Sequence, residues 1–250
     1  MRSEPRAPGW LDFWSRPHRI YVNDRHRRVH YARIADEILA LLPRPGARVL
    51  DFGCGEALEA HRVAERCGRL FLCEAAESVR AELERRYADH PRITVIADVA
   101  DPRVAEESLD LLVVVSVLQY LARAEFEDLL PLFRRKLAPG GVLVLADVLP
   151  PTTSVVADTA NLLRTAARHG FLLAALGGLA SLAVGEYARL RRRLGLTRWA
   201  PEELLALLRR HGFAAERNPR NLGFDPNRMT FLARRADQPR GVAGAKVQCR

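Results

Sequence analysis

The sequence of 250 residues is poor in lysine and in cysteine, and it shows no internal repeat. Lys136 and Lys246 are its only lysines, so arginine supplies nearly all of the basic charge behind the net charge of +9. Its four cysteines form no Cys-x-x-Cys pair and no spacing with histidine that suits zinc. This pattern predicts reduced, partly buried thiols and no metal site. It excludes a disulfide scaffold, a zinc module and a repeat protein.

The basic charge has two interpretations. A pI near 10.1 favours a nucleic acid or an anionic membrane surface as a partner. The arginines, however, are spread along the chain with alanine and leucine, which indicates a compositional bias, so we do not expect nucleic acid as a partner. Residues 1–17 hold scattered charges and no continuous apolar core, which argues against a signal peptide and leaves a cytoplasmic location as the expectation.

The segment 48–57 predicts a strand, a tight glycine turn and a helix that reads onward through Leu58. Gly53 and Gly55 can take positive φ and let a ligand lie against the backbone. A dinucleotide-binding turn would need a third glycine where Leu58 stands, which disfavours a nicotinamide oxidoreductase. Asp51, two residues before the first glycine, suits a ligand that carries positive charge.

The run Asp51-Phe52-Gly53-Cys54-Gly55 resembles motif I of the class I S-adenosylmethionine-dependent methyltransferases, although Ala57 stands where the family usually has a third glycine. The resemblance implies an α/β, Rossmann-like fold with a doubly wound, mostly parallel seven-stranded sheet. It also implies S-adenosyl-L-methionine as the cofactor. The cofactor-binding residues it implies in this turn are Asp51, Gly53, Cys54 and Gly55.

Acids also end the second and third predicted strands, at Glu74 after residues 70–73 and at Asp98 after residues 93–97. The Glu74 carboxylate can accept hydrogen bonds from both hydroxyls of a ribose, or it can interact with the N-terminus of the next helix. The resemblance implies that Asp98 receives the adenine amino group and that the backbone of Val99 contacts the ring. Because parallel sheets bind ligands at the carboxyl ends of their strands, these acids and Asp51 are predicted to line one crevice.

The fourth strand, residues 111–115, runs into Ser116, which the resemblance places near the methionine part of the cofactor. Asp110 is expected to be structural, at the opposite end of this strand. The next helix contains Pro131 as a kink or a late start, and Pro139-Gly140-Gly141 predicts a turn into a fifth strand at 142–146. A helix from Pro201 and strands at 214–218 and 229–233 predict a closing antiparallel hairpin.

The predicted organisation is an N-terminal strap at 1–22, a methyltransferase domain at 23–235 and a disordered tail at 236–250. The strap contains Trp10 and Trp14, which we expect to pack over the core rather than to contact a membrane or substrate. Asn23 or Asp24 is expected to cap the first long helix. Tyr21 and His30 are candidate lid residues, with surface or packing roles as the alternative.

A helical insertion is predicted at 152–196, after the fifth strand. Its uncharged run at 170–185 is rich in leucine and alanine, contains glycine and is too short to span a membrane. Arginines flank this run. Two interpretations stay open: an insertion packed on the sheet edge, or an apolar cap that forms an acceptor pocket and allows a peripheral membrane contact through 170–193.

Methyl transfer from a sulfonium requires an aligned donor and acceptor but no nucleophile or metal, and the sequence assigns no catalytic residue. Asp147, His169 and Tyr120 are the candidate bases. The fourth strand is not followed by Asn-Pro-Pro-Tyr, and no cysteine is well placed as a nucleophile, which argues against methylation of nucleic-acid bases. We therefore predict a small, hydrophobic or lipid-like acceptor. An RNA or protein methyltransferase, or a non-catalytic S-adenosylmethionine-binding protein that uses the insertion as a partner or membrane surface, are the alternatives.

Overall fold

The computed structural model describes residues 9–15, 21–153, 155–177, 189, 191, 193 and 195–236. The strands, in chain order, are β1 Arg48–Phe52, β2 Arg69–Cys73, β3 Ile93–Ile96, β4 Leu109–Val115, β5 Leu137–Val148, β6 Phe213–Asn218 and β7 Met229–Arg235. The helices that we number are α1 Trp10–Trp14, α2 Asp24–Leu41, α3 Ala60–Arg66, α4 Glu77–Arg86, α5 Arg123–Lys136, α6 Val155–His169 and α7 Pro201–Arg210. Leu118–Tyr120 forms a short 3-10 helix, and residues 172–177 are helical.

The seven strands form one sheet in the order β3-β2-β1-β4-β5-β7-β6. The five strands from β3 to β5 are parallel to their neighbours, while β7 runs antiparallel to both β5 and β6. The predicted doubly wound, mostly parallel α/β sheet with a closing hairpin is therefore confirmed. Since the chain reverses its direction of winding between β1 and β4, a crevice is expected at the carboxyl ends of these two strands.

Two apolar clusters cover the two faces of the sheet, because alternate residues of each strand point to opposite sides. One face carries Leu50 and Leu112, which pack with buried residues of α5 and α7 such as Phe133 and Leu208. The other face carries Val49, Leu70, Leu72, Leu111 and Val113, which pack with Ile38 of α2, Val63 of α3 and Leu83 of α4. The helices thus hold the strands on both sides and fix the positions of the strand ends.

Several local features away from the glycine turn agree with the sequence predictions. Asn23 caps α2, since its side-chain oxygen accepts a hydrogen bond from the His26 backbone N–H at 2.8 Å. Asp110 lies at the end of β4 away from Ser116, where it accepts from the Arg48 backbone N–H at 2.8 Å and pairs with Arg44. The structural role predicted for Asp110 is confirmed. The three cysteines among the described residues are buried free thiols, as predicted: Cys54, Cys67 and Cys73.

Three element boundaries differ from the prediction. The turn predicted at 139–141 is a bulge inside β5, because Leu137 pairs with Leu109 while Val142 already pairs with Leu111. Pro131 lies inside α5 rather than at its start. The helix after the glycine turn begins only at Ala60, since positive φ at Gly53, Gly55 and Ala57 keeps the preceding residues out of the helical conformation.

The insertion is helical at 155–169 and 172–177, with a break at Gly170, whose φ of +73° is left-handed. Residues 195–200 are not helical, so the helical pattern does not extend to Leu196. Several predictions lie outside the described residues: residues 1–8 and 16–20 of the strap, residues 178–185 of the apolar run, Cys249 and the tail beyond Ala236.

Candidate active site

A cleft of about 1040 Å³ opens at the carboxyl ends of the parallel strands. The segments that follow β1, β2, β3 and β4 form one side of it, and α1, α2, α6 and the β6–β7 loop form the other. The strand-end residues that line it are Phe52, Gly53, Cys54, Gly55, Glu56, Cys73, Glu74, Ala97, Asp98, Val115, Ser116 and Gln119. A volume of this size suits two small molecules side by side.

The glycine turn after β1 leaves no room for side chains. Gly53 and Gly55 have φ of +68° and +57°, in the left-handed region that favours glycine. A Cβ added at Gly53 would lie 2.5 Å from Cγ2 of Val117, and one added at Gly55 would lie 2.8 Å from the hydroxyl of Tyr31. The bare backbone of this turn is therefore available to a ligand, with α2 on one side and the end of β4 on the other.

Glu74 ties the end of β2 to the glycine turn. Its Oε2 accepts a hydrogen bond from the Gly55 N–H at 2.9 Å, and its Oε1 accepts from the Ala76 N–H at 2.8 Å. Ala76 is the N-cap of α4, so Glu74 also serves the helix N-terminus that sequence reasoning offered as the alternative. Each carboxylate oxygen keeps a second lone pair, so the group can still accept hydrogen bonds from a ligand in the cleft.

Asp51 is a buried acid without a basic partner. Burial, and secondarily the nearby carboxylate of Glu74, raises the pKa of Asp51 to about 7. Its side chain makes no hydrogen bond or ion pair with a described residue. Burial also raises the pKa of Glu74 above its ordinary value. Two neighbouring carboxyl groups in an apolar setting favour a ligand that brings positive charge or hydrogen-bond donors.

The end of β3 forms a compact turn around Asp98. Its Oδ1 accepts a hydrogen bond from the Ala100 N–H at 2.6 Å, and its backbone oxygen accepts from the Asp101 N–H at 3.1 Å. Asp98 lines the cleft, whereas the neighbouring Val99 side chain is buried beneath it. The turn fixes the direction in which the strand end faces the cleft.

A polar network joins the ends of β4 and β5. Ser116 and Asp147 both have φ of +59°, an uncommon conformation for residues other than glycine. The Ser116 hydroxyl donates to Asp147 Oδ2 at 2.5 Å, and Arg228 from the β6–β7 loop pairs with the same oxygen at 2.6 Å. The Gln119 side-chain amide donates to the Ser116 backbone oxygen at 3.0 Å. Strained backbone at two strand ends is held in place by these bonds.

Of the eight residues predicted to bind a cofactor, six line the cleft: Gly53, Cys54, Gly55, Glu74, Asp98 and Ser116. Asp51 and Val99 are buried directly behind this lining. The sheet therefore brings together residues that are up to 65 positions apart in the sequence, from Asp51 to Ser116. Glu74 and Asp98 line one crevice, whereas Asp51, which was also predicted to line it, is buried behind it.

Comparison with known proteins adds a domain assignment. Residues 49–141 match the family model described as "Methyltransferase domain". This stretch contains the glycine turn and all three strand-end acids. The chain therefore carries a methyltransferase domain at residues 49–141, within a sheet that has the strand order of a Rossmann-like methyltransferase fold.

Several solved structures have a similar fold. A magnesium protoporphyrin IX methyltransferase from Synechocystis PCC 6803 is 16% identical, with 88% of this chain and 90% of that chain covered and a TM-score of 0.54. A chain in the complex of the Haloferax volcanii Trm112 methyltransferase activator with a putative methyltransferase is 15% identical, with 91% and 98% covered and a TM-score of 0.56. YcgJ from Bacillus subtilis is 14% identical, with 75% and 70% covered and a TM-score of 0.52. At these identities the likeness shows the fold. No curated protein matches the chain in sequence.

The side of the methyltransferase cleft opposite the strand ends is aromatic. Tyr31 reaches from α2 to the glycine turn, where its hydroxyl accepts a hydrogen bond from the Glu56 backbone N–H at 2.9 Å. The ring of His30 lies between Tyr21 and Tyr31, with centroids 5.4 and 5.2 Å away. Tyr21 and His30 both line the cleft, so neither is a surface group.

His30 is an electrically neutral group in this wall. Burial, and secondarily the charges of His26 and Arg228, lowers the pKa of His30 to about 4. Its imidazole makes no hydrogen bond with a described residue. A neutral imidazole offers one donor and one acceptor nitrogen, and burial without partners is unfavourable for both. The ring is thus available to a molecule in the cleft.

The strap and the insertion close the methyltransferase cleft on its remaining sides. Trp10 and Trp14 of α1 pack against Tyr120 with ring centroids 4.7 and 5.2 Å apart. The buried Phe13 anchors this helix, which confirms that the strap packs on the domain, but Trp10 and Trp14 also line the cleft. From the insertion, α6 contributes Asn161, Leu162 and Thr165 to the lining.

The three candidate bases have different surroundings. Asp147 lines the cleft, but its carboxylate is held by Ser116 and Arg228. Tyr120 lines the cleft within the tryptophan stack. His169 is not part of the cleft lining and packs edge-on against Phe224, with ring centroids 5.8 Å apart. His30 differs from all three, because it lines the cleft and its imidazole makes no hydrogen bond with a described residue.

Sequence reasoning missed Tyr31 and Arg228. Tyr31 is adjacent to His30 in the sequence, and a helical projection of α2 onto the glycine turn would have suggested it. Arg228 carried no signal, since arginine occurs throughout the chain and this one lies in a loop 81 residues after Asp147. Only the pairing of β5 with β7 brings it to the strand end.

Proposed function

We propose that this protein transfers a methyl group from S-adenosylmethionine to a small, apolar acceptor. The observation that carries the proposal is the division of one cleft into two unlike halves. One half has bare glycine backbone and the strand-end acids Glu74 and Asp98, with Asp51 buried behind them, and the other has aromatic and aliphatic walls from α1, α2 and α6. The first half fits a cationic nucleoside, and the second fits an uncharged molecule.

The proposed cofactor contacts follow from the chemistry of each group. The Glu74 carboxylate accepts the ribose hydroxyls while it keeps its bonds to Gly55 and Ala76. Asp98 accepts the adenine amino group, with the Val99 backbone N–H beside it. Gly53 and Gly55 provide the surface for the amino-acid part, next to Cys54 and Ser116, and Asp51 offsets its positive charge from behind the turn.

When bound, S-adenosylmethionine supplies a methyl group that is attached to a positively charged sulfur. After transfer of the methyl group, this sulfur is part of a neutral thioether. The protein aligns the acceptor with this group and excludes water, which α1, α2 and α6 do by covering the cleft. For an oxygen or nitrogen acceptor, His30 takes the proton that the acceptor loses as its bond to the methyl carbon forms. Because the acceptor atom becomes strongly acidic during transfer, even a weakly basic imidazole suffices.

A label-transfer experiment tests the acceptor class. The purified protein is incubated with methyl-labelled S-adenosylmethionine and with a bacterial extract that has been separated into organic-soluble molecules, RNA and protein. We expect label in the organic-soluble fraction, and we expect Glu74→Ala protein to transfer little. Label confined to RNA or protein would replace the small acceptor by a macromolecule. Cofactor binding without transfer to any fraction would favour a non-catalytic binding protein.

A further inference from the structure

Large apolar side chains are exposed at only four positions of the part of the chain that the structure describes. They are Leu11, Leu172, Leu173 and Leu176, with exposed fractions of 54%, 38%, 85% and 52%. Three of the four lie within a single short helix, residues 172–177, directly after α6. Scattered exposed leucines need no explanation, but such a concentration marks an interaction surface.

This leucine turn, residues 171–177, is anchored to the domain by its opposite face. Phe171 and Ala175 are buried with Ala166 of α6, and the Phe171 ring stacks on His26 of α2 with centroids 4.9 Å apart. The Phe171 N–H also donates to the Ala166 backbone oxygen at 2.9 Å. The exposed leucines are therefore presented by a packed segment, and the burial of Phe171 keeps them directed outward.

Positive charge surrounds the leucine turn. The Arg25 guanidinium lies against Gly170, where an added Cβ would be 3.3 Å from its nitrogen. Arg164 and Arg168 are exposed residues of α6, the helix that ends directly before the leucine turn. None of the three arginines forms an ion pair with a described residue. Apolar side chains beside unpaired cations match the chemistry of an anionic lipid surface.

The leucine turn also follows directly after a helix that lines the cleft. The helix that precedes it, α6, forms one wall of the cleft, and the fourth exposed apolar side chain, Leu11, lies in the cleft lining itself. No helix among the described residues is long and apolar enough to cross a membrane, so the contact would be peripheral. A surface in this position would hold the cleft close to molecules dissolved in a bilayer.

We propose that the leucine turn, with Arg25, Arg164 and Arg168, docks the protein on an anionic lipid bilayer from which the cleft receives its acceptor. The lipid-dissolved acceptor rests on the proposed function, whereas the docking itself does not. A second copy of this chain is a poorer occupant than a bilayer. A symmetric contact through the same surface would bring the three arginines of one copy against those of the other.

Vesicle sedimentation with the full chain tests the docking. We expect binding to vesicles of phosphatidylcholine mixed with phosphatidylglycerol, weak binding to phosphatidylcholine alone, and loss of binding at high salt. Leu173→Asp should lower the vesicle partition coefficient by about tenfold, because it removes a leucine from the lipid contact. Ala88→Asp, which places the same charge on an exposed residue after α4, is the matched control and should bind as the parent does.

A second pair of variants separates local from total charge. Arg164→Gln with Arg168→Gln should weaken vesicle binding, whereas Arg66→Gln with Arg209→Gln, which removes equal charge at exposed sites elsewhere, should not. The proposal is overturned if the parent does not bind anionic vesicles or if Leu173→Asp binds them equally well. It is also overturned if light scattering shows a dimer that Leu173→Asp dissociates. Titration of each variant with S-adenosylmethionine checks the cofactor site separately, so failure of docking leaves the proposed function standing.

Discussion

The glycine turn is the most constrained part of the site at the scale of single residues. Gly53→Ala adds a methyl group 2.5 Å from Val117 and forces alanine into a left-handed conformation. We expect the free energy of unfolding to fall by about 2–4 kcal/mol, from backbone strain and overpacking together. Calorimetric titration should also show loss of S-adenosylmethionine binding, because Val117 or the new methyl group must move into the cleft.

Gly140→Ala provides the control for Gly53→Ala. Gly140 has a similar φ of +78° but open space around its Cβ position, so this variant carries the backbone strain alone and should bind the cofactor normally. The double variant Gly53→Ala/Val117→Ala should recover part of the lost stability. If Gly53→Ala binds S-adenosylmethionine as well as Gly140→Ala does, the inference that the ligand lies close to this turn is wrong.

Asp51 makes the cofactor affinity depend on pH. Its pKa is raised from 3.8 to about 7 by burial and by Glu74, so the ligand-free fold loses stability as pH rises between these two values. A cationic cofactor favours the ionised form, so binding at neutral pH should release a proton. The affinity for S-adenosylmethionine should therefore increase from about pH 6 to about pH 8.

Calorimetry in buffers of different ionisation enthalpy measures the released proton. Asp51→Asn should abolish most of the release and flatten the pH dependence of the affinity. Asp36→Asn, at a partly exposed carboxylate paired with Arg62, is the matched control and should behave as the parent does. Equal proton release by the parent and by Asp51→Asn would show that Asp51 does not respond to the cofactor.

His30 is the position where chemistry on the acceptor can be tested. For an oxygen or nitrogen acceptor, His30→Phe keeps an aromatic ring in the wall but removes the proton acceptor, so kcat should fall by about 100-fold or more. The affinity for S-adenosylmethionine should stay within about twofold, since the ring lies on the acceptor side of the cleft. The rate at which label enters the organic-soluble fraction under single-turnover conditions measures the effect on transfer. Calorimetric titration measures the affinity for S-adenosylmethionine.

His26→Phe is the matched control for this substitution. The His26 ring accepts a hydrogen bond from the Val22 N–H and stacks on Phe171, so its loss should affect stability more than transfer. Added imidazole should partly restore transfer by His30→Phe if the missing group is a base. Unchanged kcat in His30→Phe would mean that the acceptor arrives already ionised or that another group takes the proton.

At the scale of elements, α2 covers the glycine turn and is hydrogen-bonded to it. Tyr31→Phe removes the oxygen that accepts from the Glu56 N–H, and an unpaired N–H at this position should lower the unfolding free energy by about 1–3 kcal/mol. Cofactor affinity should also fall, since α2 then holds the turn less firmly. Chemical denaturation and calorimetric titration measure the two effects.

Tyr87→Phe, on the opposite side of the glycine turn, separates the effect on stability from the effect on cofactor affinity. The Tyr87 hydroxyl donates to the Ala57 backbone oxygen at 2.6 Å and lies outside the cleft lining. This variant should lose stability while it keeps more of the cofactor affinity than Tyr31→Phe does. If both variants lose the same amount of cofactor affinity, the affinity depends on the glycine turn itself and not on its contact with α2.

The predictability of the elements follows from how local their signals are. The parallel strands were predicted within two residues, apart from β5, because each is a short apolar run bounded by an acid or a glycine. The sequence predicts a turn at Pro139-Gly140-Gly141, but the same residues also fit a bulge, and only the pairing with β4 distinguishes the two. The break of the insertion at Gly170 has a local signal that the sequence prediction did not use, because a glycine with left-handed φ directly after a helix commonly ends it.

At the scale of the whole molecule, the two halves of the cleft differ in how well the sequence predicts them. The cofactor half consists of strand ends, and parallel topology alone brings Asp51, Glu74 and Asp98 together. The acceptor half is assembled by the docking of α1, α2 and α6 and by the loop that carries Arg228. Those contacts depend on tertiary packing, so the sequence offered Tyr21, His30 and Tyr120 only as candidates and missed Tyr31 and Arg228.

The most direct test of the account is a calorimetric titration of the intact protein with S-adenosylmethionine, S-adenosylhomocysteine and NAD. We predict that the first two bind and that NAD does not, because the turn lacks the third glycine of a dinucleotide site at Leu58. Glu74→Ala should weaken binding of both by about 1–3 kcal/mol through loss of charge-assisted hydrogen bonds. Binding of NAD, absence of binding by all three, or a Glu74→Ala variant as tight as the parent would contradict the assignment of this cleft.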